Sequence, residues 1–239
     1  MYLFLMIAII LIVWYYFRSN RQESSSDHAQ GKAKVNIEDK TNDSTQSRSN
    51  GNRYNNKALI LDTETTGLTT IDEFIEITAV LVEFDKQGSL TVIDKYTGLR
   101  EPNVDINPEA QNVHNITHDM LKDQQIDYQR LYSLFDEADF LVAHNASFDK
   151  RFIEKEFKKL NSKVWLCSMN GIRWRKRGFN SKGLQNLLND HDIDTEQAHR
   201  AESDVMSLIE LLNSKASPRS TYFNQLLRNN NIRQKDIEF

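Results

Sequence analysis

Two carboxylates stand close together in ALILDTETTGL, residues 58–68. Asp62 and Glu64 are two apart on what reads as an apolar strand, so their side chains leave the same face. Two like charges at the edge of a core call for a cation or a proton. A divalent ion answers directly, because Mg²⁺ takes a few carboxylates and fills its remaining positions with water or phosphate oxygens. A solvated pair at a strand terminus accounts for the same residues, and alone they do not decide.

Two further acids and a histidine have comparable double readings. In VAHNASFDKRF, residues 142–152, the strand ends at His144-Asn145 and Asp149 opens a helix. There the helix dipole alone favours an acid. In HRAESDVMSLIELL, residues 199–212, Asp204 borders the stripe Ala201, Val205, Leu208, Ile209 and Leu212, and a carboxylate beside a buried stripe needs a partner. His199 lies five residues before Asp204, roughly 140° away if both sat on one helix. It is therefore expected on the chain entering that helix, free to reach the same site. A surface or capping histidine is the plain alternative.

The elements that would position these groups follow from periodicity. KALILDTE, FIEITAVLVEF (with Ile75, Ile77, Ala79 and Leu81 on one face) and SLTVIDKYTGLR read as three strands joined by short turns, an antiparallel meander. Helices follow from Pro108 and over DYQRLYSLFDEA. DFLVAHN and KVWLCSM are two more strands, separated by the helix SFDKRFIEKEFKKL, and SKGLQNLLNDH and RAESDVMSLIELLNS are the last helices. A meander followed by strands alternating with helices predicts an α/β fold with a mixed five-stranded sheet and helices on both faces.

The 239 residues are enough for one ordinary domain plus extensions, and the single cysteine, Cys167, excludes an internal disulfide. Residues 1–17, MYLFLMIAIILIVWYYF, carry no charge and no helix breaker. Trp14, Tyr15 and Tyr16 sit where aromatic side chains favour a membrane interface, and Arg18 and Arg21 follow. This predicts a single-pass transmembrane helix with the rest of the chain cytoplasmic. A cleaved signal peptide would want a basic start and a small-residue cleavage site. Residues 18–56 read as a disordered linker spanning about 34 Å, 57–214 as the folded domain and 215–239 as a polar tail. The net charge of −4 leaves the domain at −9 once linker and tail are removed, an unusual balance for a protein that handles a polyanion.

Taken together and in order, LDTETTGL, VAHNASFD and HRAESD resemble the three exonuclease motifs of the DnaQ-like superfamily, in its DEDDh branch. EFIEITAV and NPEAQNVHNITHDML are also similar to segments of the bacterial proofreading, polymerase III epsilon-type, members. The resemblance covers roughly residues 57–214. It implies a ribonuclease-H-like fold and removal of nucleotides from 3′ ends with two Mg²⁺ ions, Mn²⁺ being a substitute. On the matching positions, Asp62 would bridge both ions, Glu64 and Asp204 would complete one shell, and Asp149 would hold the second ion. His199 would take the proton of the attacking water, a role suited to a group titrating near neutrality. The backbone amides of the turn and the Leu68 side chain would hold the 3′ end, which makes Thr65, Thr66 and Leu68 the substrate contacts, while Phe148 would support Asp149 from the core.

Two departures stand out. Asn115 replaces the glycine of the family's His-Gly-Ile-Thr segment, a place where asparagine tolerates a left-handed backbone. Cys167 lies near a position where many members have Asp-Thr, and no metal role depends on it. The basic run GIRWRKRGFNSKG, residues 171–183, offers Arg175 and Arg177 as phosphate contacts, with Trp174 and Phe179 interleaved. A solvated loop explains the run equally well. The expected substrate is a nucleic-acid 3′ end, single-stranded, with DNA favoured. An RNA-trimming enzyme and a non-catalytic binding module are the alternatives, the latter opposed by five filled catalytic positions. No motif identifies a protein partner.

Overall fold

The computed structural model describes residues 54–195 and 198–239. The membrane anchor expected over 1–17 and the linker up to residue 53 lie outside the described residues. Among the described residues, no helix is long and apolar enough to cross a membrane.

Three strands form the expected meander: β1 (Lys57–Thr65), β2 (Phe74–Phe84) and β3 (Leu90–Leu99). The β2–β3 turn is closed by Asp85, whose Oδ1 accepts from the Gln87 and Ser89 amides, with Gly88 at φ +80°. Three helices, α1 (Pro108–His114), α2 (His118–Leu121) and α3 (Tyr128–Glu137), lead into β4 (Phe140–Ala143). Asn115 caps α1 in the left-handed conformation, φ 58°, donating its amide to the Gln111 carbonyl, so asparagine does here what glycine does elsewhere. Helix α4 (Ala146–Glu156) then carries the chain over to β5 (Val164–Cys167). The sheet order is β3-β2-β1-β4-β5, with the meander antiparallel and β4 and β5 parallel to β1. Parallel neighbours need a crossover, and α4 supplies it for β4 and β5.

Both faces of the sheet are covered. Odd-numbered residues of β1 (Leu59, Leu61) meet Leu131, Leu134 and Phe135 of α3 and Phe152 and Ile153 of α4. Even-numbered residues (Ala58, Ile60) lie in a second cluster with Val205, Leu208 and Leu212. Those three belong to α7 (Ala201–Asn213), which follows the short helices α5 (Ser168–Gly171) and α6 (Leu184–Asn189). Strand β2 is buried at every position but Glu83. The sequence pattern assigns it one apolar face, whereas the structure buries both, because a strand inside a covered sheet has no solvent side.

The C-terminal segment departs from expectation. Residues 215–239, which read as a polar tail, form a hairpin of β6 (Lys215–Ser217) and β7 (Ser220–Thr221) and then helix α8 (Tyr222–Asn229). Tyr222, Phe223, Leu226 and Leu227 are buried in the α7 cluster, with the Phe223 ring 5.0 Å from Phe84. Average polarity hides this helix, since four apolar residues at helical spacing are enough to bury one face. At the other end, Tyr54 stacks 4.7 Å from Phe140 and bridges Ile237, so the fold begins inside the stretch read as linker.

Candidate active site

Strand parity explains how the acids meet. The even face of β1 runs Ala58, Ile60, Asp62, Glu64, turning from apolar to acidic as it leaves the core beneath α7. Asp204 lies in the first turn of α7 and points back to the same place. One carboxylate oxygen from each of Asp62, Glu64 and Asp204 falls within a sphere where all lie within 4.8 Å of one another. Asp149 arrives from the opposite face, on the first turn of α4. Its Oδ1 accepts from the amide and the hydroxyl of Thr63, at 3.0 and 2.9 Å, the odd residue between the two strand acids. That leaves Oδ2 unclaimed by this pair.

The electrostatics record the crowding. Burial raises the Asp62 carboxyl well above the carboxylate range, and the charges of Asp149, Glu64, Asp204 and Glu76 raise it further. Glu64 is pushed up to about 9, first by burial and then by Asp204, Glu76 and Asp149. Burial lifts Asp149 to about 7 against the pull of its Thr63 bonds. Asp204 is also raised by burial, while His199 lowers it through its charge and its backbone amide. A protein that keeps four such groups adjacent either holds protons or holds cations there. The donor set is all oxygen, half-buried to buried, and clustered, so it fits hard divalent ions.

His199 sits at φ +61°, half-buried, on the chain entering α7, as its spacing from Asp204 requires. A side chain is held in that left-handed conformation only when its neighbours fix it. Here the next residue does so. Arg200 is bonded through Nε and Nη2 to Glu76, with the shortest contact 2.6 Å, and the Ala201 amide donates to Glu76 Oε2 at 3.0 Å. Glu76 is 1% exposed and stands opposite Glu64 in the β1–β2 register. It thus pins the start of the helix that carries Asp204 and the residue after His199. Sequence reasoning passed over Glu76, although an acid flanked by Ile75 and Ile77 in a largely apolar strand is the signal for a buried partner. Gln185 was also missed. Its Nε2 donates to Asp204 Oδ1 at 2.9 Å.

The turn after β1 sorts the expected substrate set by exposure. A bulge between Glu64 and Thr65 bends the strand out. Thr66 is fully buried: its amide donates to the Glu73 carbonyl, and its hydroxyl to Asp72 Oδ1 at 2.9 Å. Thr65 is 5% exposed and bonds the Gly67 carbonyl. Both side chains build the turn. Gly67 is required there, because a Cβ would lie 2.7 Å from Asp72 Oδ1. Leu68, 54% exposed, is the member of the set that faces outward, and Arg151 holds its carbonyl at 3.0 Å.

The basic run is sorted as well. Arg177 is engaged at the surface, on the Ala216 carbonyl and Gln225, whereas Arg175, equally exposed, is in no ion pair among the described residues. Trp174 is fully buried and offers no ring to a base, and the half-buried Phe179 stacks on His191. Phe148 packs in the core beside Phe152, as expected of a support for Asp149. His144, just before α4, is held neutral by burial, its ordinary pKa lowered to about 4. Its Nε2 donates to the Lys182 carbonyl, so Nδ1 accepts from the Ser168 hydroxyl.

Comparison with known proteins places this arrangement. The exonuclease family RNase_T matches residues 59–212. The chain is 31% identical over 183 residues to the PolC-type DNA polymerase III of Bacillus subtilis, covering 72% of this chain and 12% of that protein. It is 35% identical over 159 residues to the DNA polymerase III epsilon subunit of Treponema pallidum, covering 63% of this chain and 72% of the subunit. Among solved structures, E. coli Exonuclease I in complex with a dT13 oligonucleotide shares the fold with TM-score 0.56 at 18% identity, over 66% of this chain and 40% of that one.

Proposed function

We propose, from the premise that this chain belongs to the exonuclease family RNase_T, that it removes nucleotides one at a time from 3′ ends of DNA. The observation that carries this is the convergence of Asp62, Glu64 and Asp204 from a strand and a distant helix, with Asp149 beside them. A structural role alone gives no reason to bury four mutually repelling acids. The likeness to a polymerase III epsilon subunit supports the 3′–5′ direction and DNA as substrate.

In this reading Asp62, Glu64 and Asp204 would hold one Mg²⁺, and Asp149 beside them would help to hold a second. Bound ions there supply Lewis acidity to the phosphoryl group and make water acidic enough to attack near neutral pH. The chain's own groups do the rest. Thr63 fixes one oxygen of Asp149, leaving the other for the ion. His199, placed by the Glu76–Arg200 anchor, accepts the proton from the attacking water. Leu68 lies on the turn where a terminal nucleotide would rest. The negative domain is no obstacle, because the ions' charge offsets the carboxylates at the scissile phosphate.

The test is release of mononucleotides from 3′-labelled single-stranded DNA with Mg²⁺, comparing the wild-type chain with Asp62→Asn. Equal release by both would remove the assignment. Parallel digestion of RNA of the same sequence decides between DNA and RNA trimming. The apolar run 1–17 followed by Arg18 and Arg21 supports a single-pass anchor with the nuclease domain cytoplasmic. Extraction of membranes with alkaline carbonate should leave the full chain in the pellet, and its release would overturn the anchor.

A further inference from the structure

Residues 171–183 and 214–235 each contain five basic residues and no Asp or Glu, while the remainder of residues 54–239 holds 29 acidic against 13 basic residues. Far apart in sequence, the two stretches are fastened together. Arg177 donates to the Ala216 carbonyl at 2.7 Å and to Gln225 at 2.6 Å, and its guanidinium lies 5.3 Å from the Tyr222 ring centre. Asn229 donates to the Gly171 carbonyl at 2.7 Å. Around this seam Arg173, Arg175, Lys176, Lys215, Arg219 and Arg228 are exposed, and none is in an ion pair among the described residues. A polar hollow of about 250 Å³ opens between Arg177, Ser217, Ser220, Gln225 and Arg228.

This face also runs into the carboxylate site. The stretch 171–183 starts beyond the end of β5, at the same sheet edge as the ends of the parallel strands β1 and β4. Its last residues are tied in: the Lys182 carbonyl accepts from His144 Nε2 at 2.8 Å, and Gln185, two residues past the run, binds Asp204. Positive charge therefore extends from the rim of the acidic site to the C-terminal helix. The second stretch lies beyond residue 212, where the family match ends.

We propose that this joined face holds the phosphate backbone of a nucleic-acid strand on the 5′ side of the nucleotide at the carboxylates. The proposal deepens the exonuclease reading and rests on it. Exposed, unpaired cations gain affinity from released counterions and carry no base information. With Trp174 buried and Phe179 half-buried against His191, the face supplies charge far more than stacking, so its grip is indifferent to base sequence. It also supplies the attraction that an otherwise acidic domain lacks.

The test uses the full chain with Ca²⁺ replacing Mg²⁺, and reads fluorescence anisotropy of labelled oligothymidylates of about 20 nucleotides between roughly 50 and 200 mM salt. Arg219→Glu with Arg228→Glu should weaken the long strand at least tenfold and a dinucleotide far less. The slope of log K against log salt should shrink by about 1.4, at about 0.7 per lost contact to a single strand. Arg173→Glu with Lys176→Glu should do the same from the other stretch, which guards against misfolding of the C-terminal variant. Lys122→Glu with Lys158→Glu, exposed elsewhere, should change neither quantity. Unchanged affinity and slope in both patch variants overturns the proposal. So does loss of binding to phosphatidylserine vesicles with strand binding intact, which would assign the face to a membrane. Salt-dependent strand binding by a wild-type chain that releases no nucleotides with Mg²⁺ would sink the exonuclease reading while leaving this face standing.

Discussion

The molecule keeps its two kinds of charge in opposite physical states. The carboxylates are half-buried to buried and convergent, and two of them are fixed by partners of their own, Thr63 for Asp149 and Gln185 for Asp204. The cations of the C-terminal face are exposed, spread out and mostly without partners. Buried charge of one sign is costly and can be kept only for chemistry or ion binding. Exposed charge costs little and acts at a distance set by salt. The contrast separates cutting from holding, with one small dry site for the bond that breaks and a broad wet surface for the strand behind it.

That division is open to attack from several sides. Asp62→Asn should abolish nucleotide release while leaving strand affinity in Ca²⁺ nearly intact, and an equal collapse of both would end the separation. The same change removes a repelling charge. The metal-free variant should therefore melt higher, by about 2–4 °C for each kcal/mol of repulsion relieved, as differential scanning calorimetry in EDTA would show. His199→Ala should cost about 10²–10⁴ in kcat and leave Mn²⁺ affinity, read by calorimetric titration, close to wild type. A large loss of metal affinity would move His199 from proton acceptor to ligand support.

Glu76→Gln should lower kcat by about 10–100-fold with little change in KM, because it loosens the start of α7 without touching the strand-holding face. A rise in KM at constant kcat would place Glu76 on the substrate side. The gentlest effect is on stability. The acids of the site have folded pKa values above their ordinary ones, so the folded metal-free protein binds protons that the unfolded chain has released. Stability present below about pH 4 should decline as pH rises through about 7 for Asp149 and about 9 for Glu64. Saturating Mg²⁺ should flatten that decline, and a metal-free melting curve rising over this range would contradict the crowding.

The sequence discloses these regions unequally, for physical reasons. All five strands and the shared face of Asp62 and Glu64 were legible, since period-two burial and the parity of β1 place side chains on a face without knowledge of the rest, whereas Asp204 was joined to them only through the resemblance of the motifs. Asn115 was legible too, through its tolerance of a left-handed cap. Glu76 was hidden because its partners, Arg200 and the Ala201 amide, lie some 124 and 125 residues away. The burial of the Thr66 side chain was hidden because exposure of a turn residue depends on what closes the turn, here Asp72. The C-terminal helix escaped because averages over a polar stretch conceal the apolar stripe from Tyr222 to Leu227. The burial of Trp174 was hidden for a related reason, since a basic run with aromatic residues looks the same whether its rings face out or in.

One detail at the far end of the sheet has a mechanical meaning. Tyr54 is clasped by the C-terminal strand segment, its amide bonded to the Asp236 carbonyl at 2.8 Å and its carbonyl to the Glu238 amide at 2.7 Å. Any tension arriving along the chain before residue 54 meets this clasp and the Tyr54–Phe140 ring contact before it reaches β1. The strand bearing Asp62 and Glu64 is thereby shielded from pull, and the load passes to the chain's own last residues. A force ramp applied at residue 53 should release the Tyr54–Ile237 segment in a first, weaker step, with the catalytic strand still seated.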